Sequence, residues 1–227
     1  MPPKRTPGAD RSKASPEGPD LAASLTSAAH HAVHDGDEWD AERVVDADLS
    51  TAEAKNLRLT GCELARVVLT GAQLAQLALT DVLLVDCELS GASLTKASLR
   101  RVEFRNCRMS GVVLSESTLR DVRVMGCKLD GANLRFSNAE HLVFEHSSLR
   151  EADFFGSTWK RVAVERCELD HADFSHASLA DVDLATSSFD DLRGAANMRG
   201  VTIGSAQALP FALSMFAELG ITVDDGD

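Results

Sequence analysis

Residues 87–106 read CELSGASLTKASLRRVEFRN, and within them Leu89, Leu94, Leu99 and Phe104 return every five positions. An α-helix repeats its side chains about every 3.6 residues and a β-strand every 2, so neither wants this spacing. On a helix a step of five turns the side chain by about 140°, and the register winds around the whole cylinder; on a strand an odd step changes face each time. A chain that turns a corner once per pentad does gather these residues, because every corner points the same positions inward.

The register extends far beyond the quoted stretch. Of the 27 positions taken every fifth residue from Leu59 to Phe189, 17 are Leu, 5 Phe and 2 Val, with Met109, Trp159 and Ala139 filling the others, and none is polar. Two residues earlier, from Leu57 to Ser187, stand 7 Ala, 7 Val, 5 Cys, 5 Ser and 3 Leu, an uncharged and mostly small second register. Nearly all the charge falls on the other three positions. If each corner is roughly a right angle, four pentads close one coil and a weaker repeat of twenty should appear. Gly71, Gly91, Gly111 and Gly131 are spaced by 20, as are Cys87, Cys107 and Cys127, with Ser147 and Cys167 continuing that column. Glycine at one recurring corner points to a turn with positive φ or a close backbone approach. The quoted stretch is one full turn of a square solenoid.

The pentads CELSG, ASLTK, ADFSH, ASLAD and VDLAT resemble the motif of the pentapeptide-repeat family over residues 47–193. That resemblance implies a right-handed quadrilateral β-helix, here of about seven coils, with short β-bridges stacking coil on coil. The expected organisation is an N-terminal extension over 1–44, disordered or partly helical, a β-helix over 45–200, and a helical cap over 201–227 that forms a possible dimerisation module. Residues 1–20 are rich in Pro, Ser, Lys and Gly and read as disordered. LAASLTSAAHHAV reads as a short helix, and Trp39 as either a cover for the open end or a loose residue of the tail. At the other end, Leu209, Leu213 and Phe216 have helical spacing, Pro210 suits a first turn, and Gly220 suits the stop after the last turn.

The segment GVTIGSAQALPFALSMFAELGITV further resembles the C-terminal cap of the mycobacterial quinolone-resistance members of that family, through Gln207-Ala208, Phe211-Ala212, Gly220 and Ile221. It departs from them by about one extra helical turn and by Pro210. The resemblance implies a homodimer joined tail to tail, here through Leu209, Phe211, Leu213, Phe216 and Leu219. It also implies coils that imitate B-form DNA, and DNA gyrase as the partner that is inhibited or protected. Other quinolone-resistance members carry loops projecting from the rod, for which the unbroken pentads from 57 to 189 leave no room.

Composition sets bounds on this expectation. The net charge of -12 argues against binding nucleic acid directly and for a basic partner. The N-terminus lacks the apolar stretch of a signal peptide, no run approaches a membrane span, and five cysteines without a secretory signal fit a reducing compartment, so a cytoplasmic location is expected. Charge is unevenly placed: from Lys96 to Arg135 nine basic residues meet four acidic ones, while from Glu165 to Asp191 only Arg166 meets eight acids. Asp170, Asp173, Asp181, Asp183, Asp190 and Asp191 are therefore the candidate partner-binding surface. Arg100, Arg101, Arg120, Lys160 and Arg161, stacked by the repeat of twenty, form an alternative basic face suited to a scaffold that binds an unrelated protein. Mixed outward charge is also what solubility demands of any solenoid, and both patches carry that plainer reading too.

No catalytic constellation emerges. The five cysteines, Cys62 included, sit in the small inward register with parallel Cβ vectors, which disfavours bridges and fits buried structural thiols. His30, His31 and His34 beside Asp35 and Asp37 include a pair at i and i+4 that suits a divalent metal if the segment is helical, against a plainer solvent-exposed reading. His141, His146, His171 and His176 lie on outward positions without a nucleophile to pair with. Neither an enzyme nor a bound metal or cofactor is expected.

Overall fold

In the computed structural model, which describes residues 15–30 and 32–223, the chain winds into a parallel β-solenoid in which, between its two end coils, strand residues pair with the residue twenty positions on. Val44, Leu64, Leu84, Phe104, Val124, Phe144, Val164 and Leu184 form one buried inward column and mark about eight coils. Strands Ala78–Val85, Ser98–Arg105, Thr118–Met125, Asn138–Glu145 and Thr158–Glu165 run side by side along one edge of the rod, followed by Ser178–Asp183. Single bridges such as Glu88↔Arg108 and Ser93↔Val113 stack the other two faces. The Leu94 N–H donates to the Val113 carbonyl at 2.7 Å and the Ser93 N–H to the Ala72 carbonyl at 2.8 Å, so neighbouring amides satisfy the coils on either side.

The corners explain the composition of the outward positions. Ala92 N–H closes on the Leu89 carbonyl at 3.0 Å with Gly91 at φ 66°, the geometry of a type II turn. The same left-handed conformation recurs once per pentad from Ala41 to Asp181, and most of these corners carry no glycine. Among the described residues twenty-three that are not glycine have positive φ, twelve of them Asp, Asn or His, the side chains that best tolerate this region. His141, His146, His171 and His176 are all among them. Their scatter over the sequence is thereby accounted for by backbone geometry.

Two expectations for the N-terminus are corrected. The described residues of LAASLTSAAHHAV are not helical: Thr26–Ala28 is a strand paired with Glu42–Val44, since the first coil offers an open edge whose unpaired amides outweigh the helix propensity of this Ala-rich segment. Trp39 is neither a lid nor loose. It pairs with Leu59, is 4% exposed, and holds an inward position of the first coil, which therefore begins ahead of residue 45. Residues 15–20 of the stretch read as disordered lie against the rod: Pro16 is buried and Asp20 N–H donates to Asp81 at 3.0 Å. Residues 1–14 lie outside the described ones.

At the far end the register slips by one, Asp183 bridging Thr202, and the pentads fade there. Helix α1, Ala208–Glu218, closes the last coil, entered through a short 3₁₀ turn Ser205–Gln207, with Pro210 in its first turn. Gly220 at φ 69° ends it, its N–H on the Ala217 carbonyl and the Ile221 N–H on Phe216, both carbonyls otherwise orphaned.

One outward ion pair is partly enclosed. Arg101 grips Asp81, one coil below, with Nε–Oδ1 at 2.6 Å, and holds that carboxyl below the usual carboxylate range despite its burial. Because the folded-state value lies below the unfolded one, this pair stabilises fully above the ordinary value of 3.8, and its contribution is lost as pH falls through the folded value. Between about pH 5 and about pH 3, the native protein is expected to lose more stability than an Asp81→Asn variant, measured by urea midpoints.

Candidate interaction surfaces

The six acidic candidates do not form one surface. Asp170, Asp173, Asp190 and Asp191 lie on two adjacent faces of the last coils, whereas Asp181 and Asp183 sit half a coil away, on the edge carrying the long strands. The first group gains members that sequence reasoning missed. Asp153 bridges to Asp173 and Asp173 to Arg193, while Glu151 lies one coil below His171 and joins these residues in a shallow groove. Glu168 stands in the adjoining row and pairs with Arg150 at 2.9 Å. Applying the repeat of twenty to the acids, rather than counting them along the chain, places Asp153 under Asp173 and Glu151 two coils under Asp191, while Glu168 already stands within the run from Glu165 to Asp191.

This surface is partly self-neutralised. Arg150 also reaches Asp170 at 3.5 Å, Arg135 reaches Asp153 at 2.9 Å, and His171 Nδ1 lies 3.3 Å from Asp191, itself largely exposed. Asp173 and Asp183 accept their own turn amides, Ser175 N–H at 2.7 Å and Ala185 N–H at 2.8 Å, which fixes their carboxylates in place.

The basic candidates are still more compensated. Arg100 pairs in register with Arg120, but Arg120 pairs next with Glu140, and Glu140 with Lys160. Lys160 lies 3.5 Å from Glu140, Arg161 bonds both Glu140 and His141, Arg120 lies 3.8 Å from Asp121, and Arg101 is held by Asp81. The strip is a ladder of mixed charge in which only Arg100 and Arg120 stack like on like.

Helix α1 is inverted relative to an ordinary surface helix. Its polar side chains face the rod: buried Gln207, just before it, donates to the Leu184 carbonyl at 2.6 Å, Ser214 accepts the Leu192 N–H at 3.1 Å, and Glu218 accepts the Ala195 and Ala196 amides at 2.8 and 3.1 Å. These contacts satisfy backbone groups that the last coil would otherwise leave open. Of the five apolar candidates only Phe211 packs inward, against Phe189 with ring centroids 6.3 Å apart. Leu209, Leu213, Phe216 and Leu219 are 69, 43, 37 and 64% exposed.

All five cysteines are free and buried in the small inward register. Burial raises the Cys62 thiol and pushes that of Cys167 up to about 11. In the native state their reaction with a thiol-specific disulfide reagent is expected to run at least about 100-fold slower than after unfolding, since both thiolate and access are withheld. His30 stacks on Trp39 at 3.8 Å and meets Glu42, and His34 meets Asp37, so the two do not converge on a common site; His31 lies outside the described residues. No helix among the described residues is long and apolar enough to cross a membrane.

Comparison with known proteins bears on the fold. HetL, a pentapeptide repeat protein involved in heterocyst differentiation regulation in the cyanobacterium Nostoc sp. strain PCC 7120, matches 70% of this chain and 74% of its own at 18% identity, with a TM-score of 0.57. Full-length QnrB1, a plasmid-mediated fluoroquinolone resistance protein, covers 86% of this chain and 100% of its own at 18% identity, with a TM-score of 0.35. None of the curated proteins matches. The family described as "Pentapeptide repeat region" matches residues 57–134 and 97–174, together a little over half of the chain, on the coils whose pentads and corners are described above. The chain belongs to the pentapeptide-repeat family.

Proposed function

We propose that this protein is a non-enzymatic cytoplasmic rod that binds DNA gyrase in place of DNA, two copies joining tail to tail through α1. The observation that carries the reading is the crowding of Glu151, Asp153, Glu168, Asp170, Asp173, Asp190 and Asp191 onto two adjacent faces beside a cap that turns its apolar side outward. Three coils at about 4.8 Å each give about 14 Å of axis, hence one carboxylate per about 2 Å, against one charge per about 1.7 Å of duplex. Arg135, Arg150 and Arg193 reduce the net density by nearly half, and a second copy docked on α1 doubles the length of the acidic surface at the dimer centre at that same density. The cap's resemblance to the mycobacterial quinolone-resistance members supports the same partner and the same tail-to-tail arrangement. Binding would act by occupancy, with carboxylates held at phosphate-like spacing against a basic enzyme surface.

Two experiments test its two halves. Leu213→Glu, which places a charge on the outward side of α1, is expected to convert a dimer to a monomer in sedimentation; a monomeric native protein would defeat the tail-to-tail arrangement. Asp170, Asp173, Asp190 and Asp191 changed together to Asn are expected to abolish capture of purified gyrase. Capture that survives this charge removal would favour the scaffold reading, for which the Arg100–Arg120 stack is the specific observation.

A further inference from the structure

The long-stranded edge of the rod already holds a peptide, the chain's own residues 15–20. Three contacts fix it, and in each a side chain of the rod recognises arm backbone. Arg123 donates to the Pro16 carbonyl at 3.2 Å, Asp121 accepts the Glu17 N–H at 3.4 Å, and Asp81 accepts the Asp20 N–H at 3.0 Å. The Pro16 ring is buried, and residues 15–22 join no strand ladder.

The spacing is that of an extended chain running along the rod axis. From Asp121 to Asp81 is two coils, about 9.6 Å at about 4.8 Å per coil, and three extended residues from Glu17 to Asp20 span about 10 Å. Arg101 lies between these two coils, and the Glu17 and Asp20 carboxylates are close enough to strengthen its basicity, after the larger effect of Asp81. Asp81 and Glu103, on this same edge, are the two charged side chains buried among the described residues, each held by an arginine, Arg101 and Arg105. The floor under the arm is thus a fixed array of charges.

Beyond Asp20 the chain is slack. Thr26 N–H is anchored on the Ala41 carbonyl at 2.9 Å and its strand stacks three coils from Asp81, about 14 Å at about 4.8 Å per coil, so six residues cover a distance that fewer than five extended ones would span. Residues 15–20 can therefore leave the rod without disturbing strand Thr26–Ala28.

We propose that this edge, between the coils of Asp81 and Asp121, is a docking surface for an extended acidic peptide segment of a partner protein. Its recognition unit is a proline followed by two acidic residues three positions apart, and the chain's own Pro16, Glu17 and Asp20 are its displaceable resident. Backbone contacts through Arg123, Asp121 and Asp81 set an extended conformation, and Arg101 reads the two carboxylates. This surface is separate from the acidic faces assigned above to gyrase, so either reading can fail alone.

The test uses the full chain and a fluorescent peptide with the sequence of residues 15–23. A triple variant, Pro16→Gly with Glu17→Lys and Asp20→Lys, removes the resident and is expected to bind the peptide about tenfold more tightly than the native chain, whose arm competes at high effective concentration. Adding Arg123→Glu to the triple variant, or exchanging Glu and Asp for Lys in the peptide, is expected to abolish that binding. Equal affinity for native chain and triple variant, or none for either, would overturn the proposal. Hydrogen exchange of the native chain gives a reading free of any variant: excess peptide is expected to deprotect the Glu17 and Asp20 amides, and unchanged protection overturns the proposal equally.

Discussion

Leu129→Asp is expected to abolish the folded rod or to cost more than about 4 kcal/mol, while Lys128→Ala, one residue earlier, stays within about 0.5 kcal/mol of the native protein. Leu129 is 1% exposed and stacks between Met109 and Leu149, one coil on either side. Both inward registers are uncharged from Leu57 to Phe189, so an aspartate there finds no cation, and its neighbours' amides and carbonyls are already committed to the ladder. Lys128 points outward, with 62% of its side chain exposed and only a loose pairing to Asp130 at 3.4 Å. Urea unfolding followed by circular dichroism separates the two variants. Equal midpoints would mean that the five-residue register does not face a core.

Trp159→Ala is expected to destabilise by about 3–5 kcal/mol. The indole is fully enclosed, in edge contact with Phe154 at 4.7 Å and Phe174 at 5.5 Å, with Phe144 at 6.2 Å. Its register partner one coil below is Ala139, the one small residue in the Leu/Phe column, and that gap makes room for the larger ring. A ladder one coil thick has little freedom to collapse around a cavity, because every neighbouring residue is fixed by bonds to the coils above and below. Trp159 Nε1 is buried with no hydrogen-bond partner, so Trp159→Phe forfeits no such bond and is expected to lose much less stability. A loss for Trp159→Ala below about 1 kcal/mol would show that this part of the core is loosely packed.

What was legible in the sequence follows what repeats. Leu89, Leu94, Leu99 and Phe104 disclose the corner, and the glycine and cysteine columns disclose the coil, because each position sees the same environment once per turn. The first coil was harder to see: its inward residues Trp39, Val44, Leu49 and Ala54 keep the register, but a tryptophan and an alanine blur it. Strand Thr26–Ala28 has no periodic signal at all, since it exists to satisfy an open edge. The acidic surface was half legible: the local density of aspartates found Asp170, Asp173, Asp190 and Asp191, but it also drew in Asp181 and Asp183 from another face and passed over Glu151, Asp153 and Glu168. The contact of Glu17 with Asp121 spans 104 residues and depends on tertiary packing alone. Its sequence, rich in Pro and Gly, reads as unstructured because its conformation is imposed by the rod.

The central functional claim is tested most directly by titrating the purified protein into a gyrase supercoiling reaction at low and at moderate salt. The expected result is inhibition at low salt that weakens as screening rises, is relieved by added DNA, and is lost when Asp170, Asp173, Asp190 and Asp191 become Asn. Supercoiling that proceeds unchanged at every protein concentration and both salts would contradict the account and leave the acidic coils as a solvated surface.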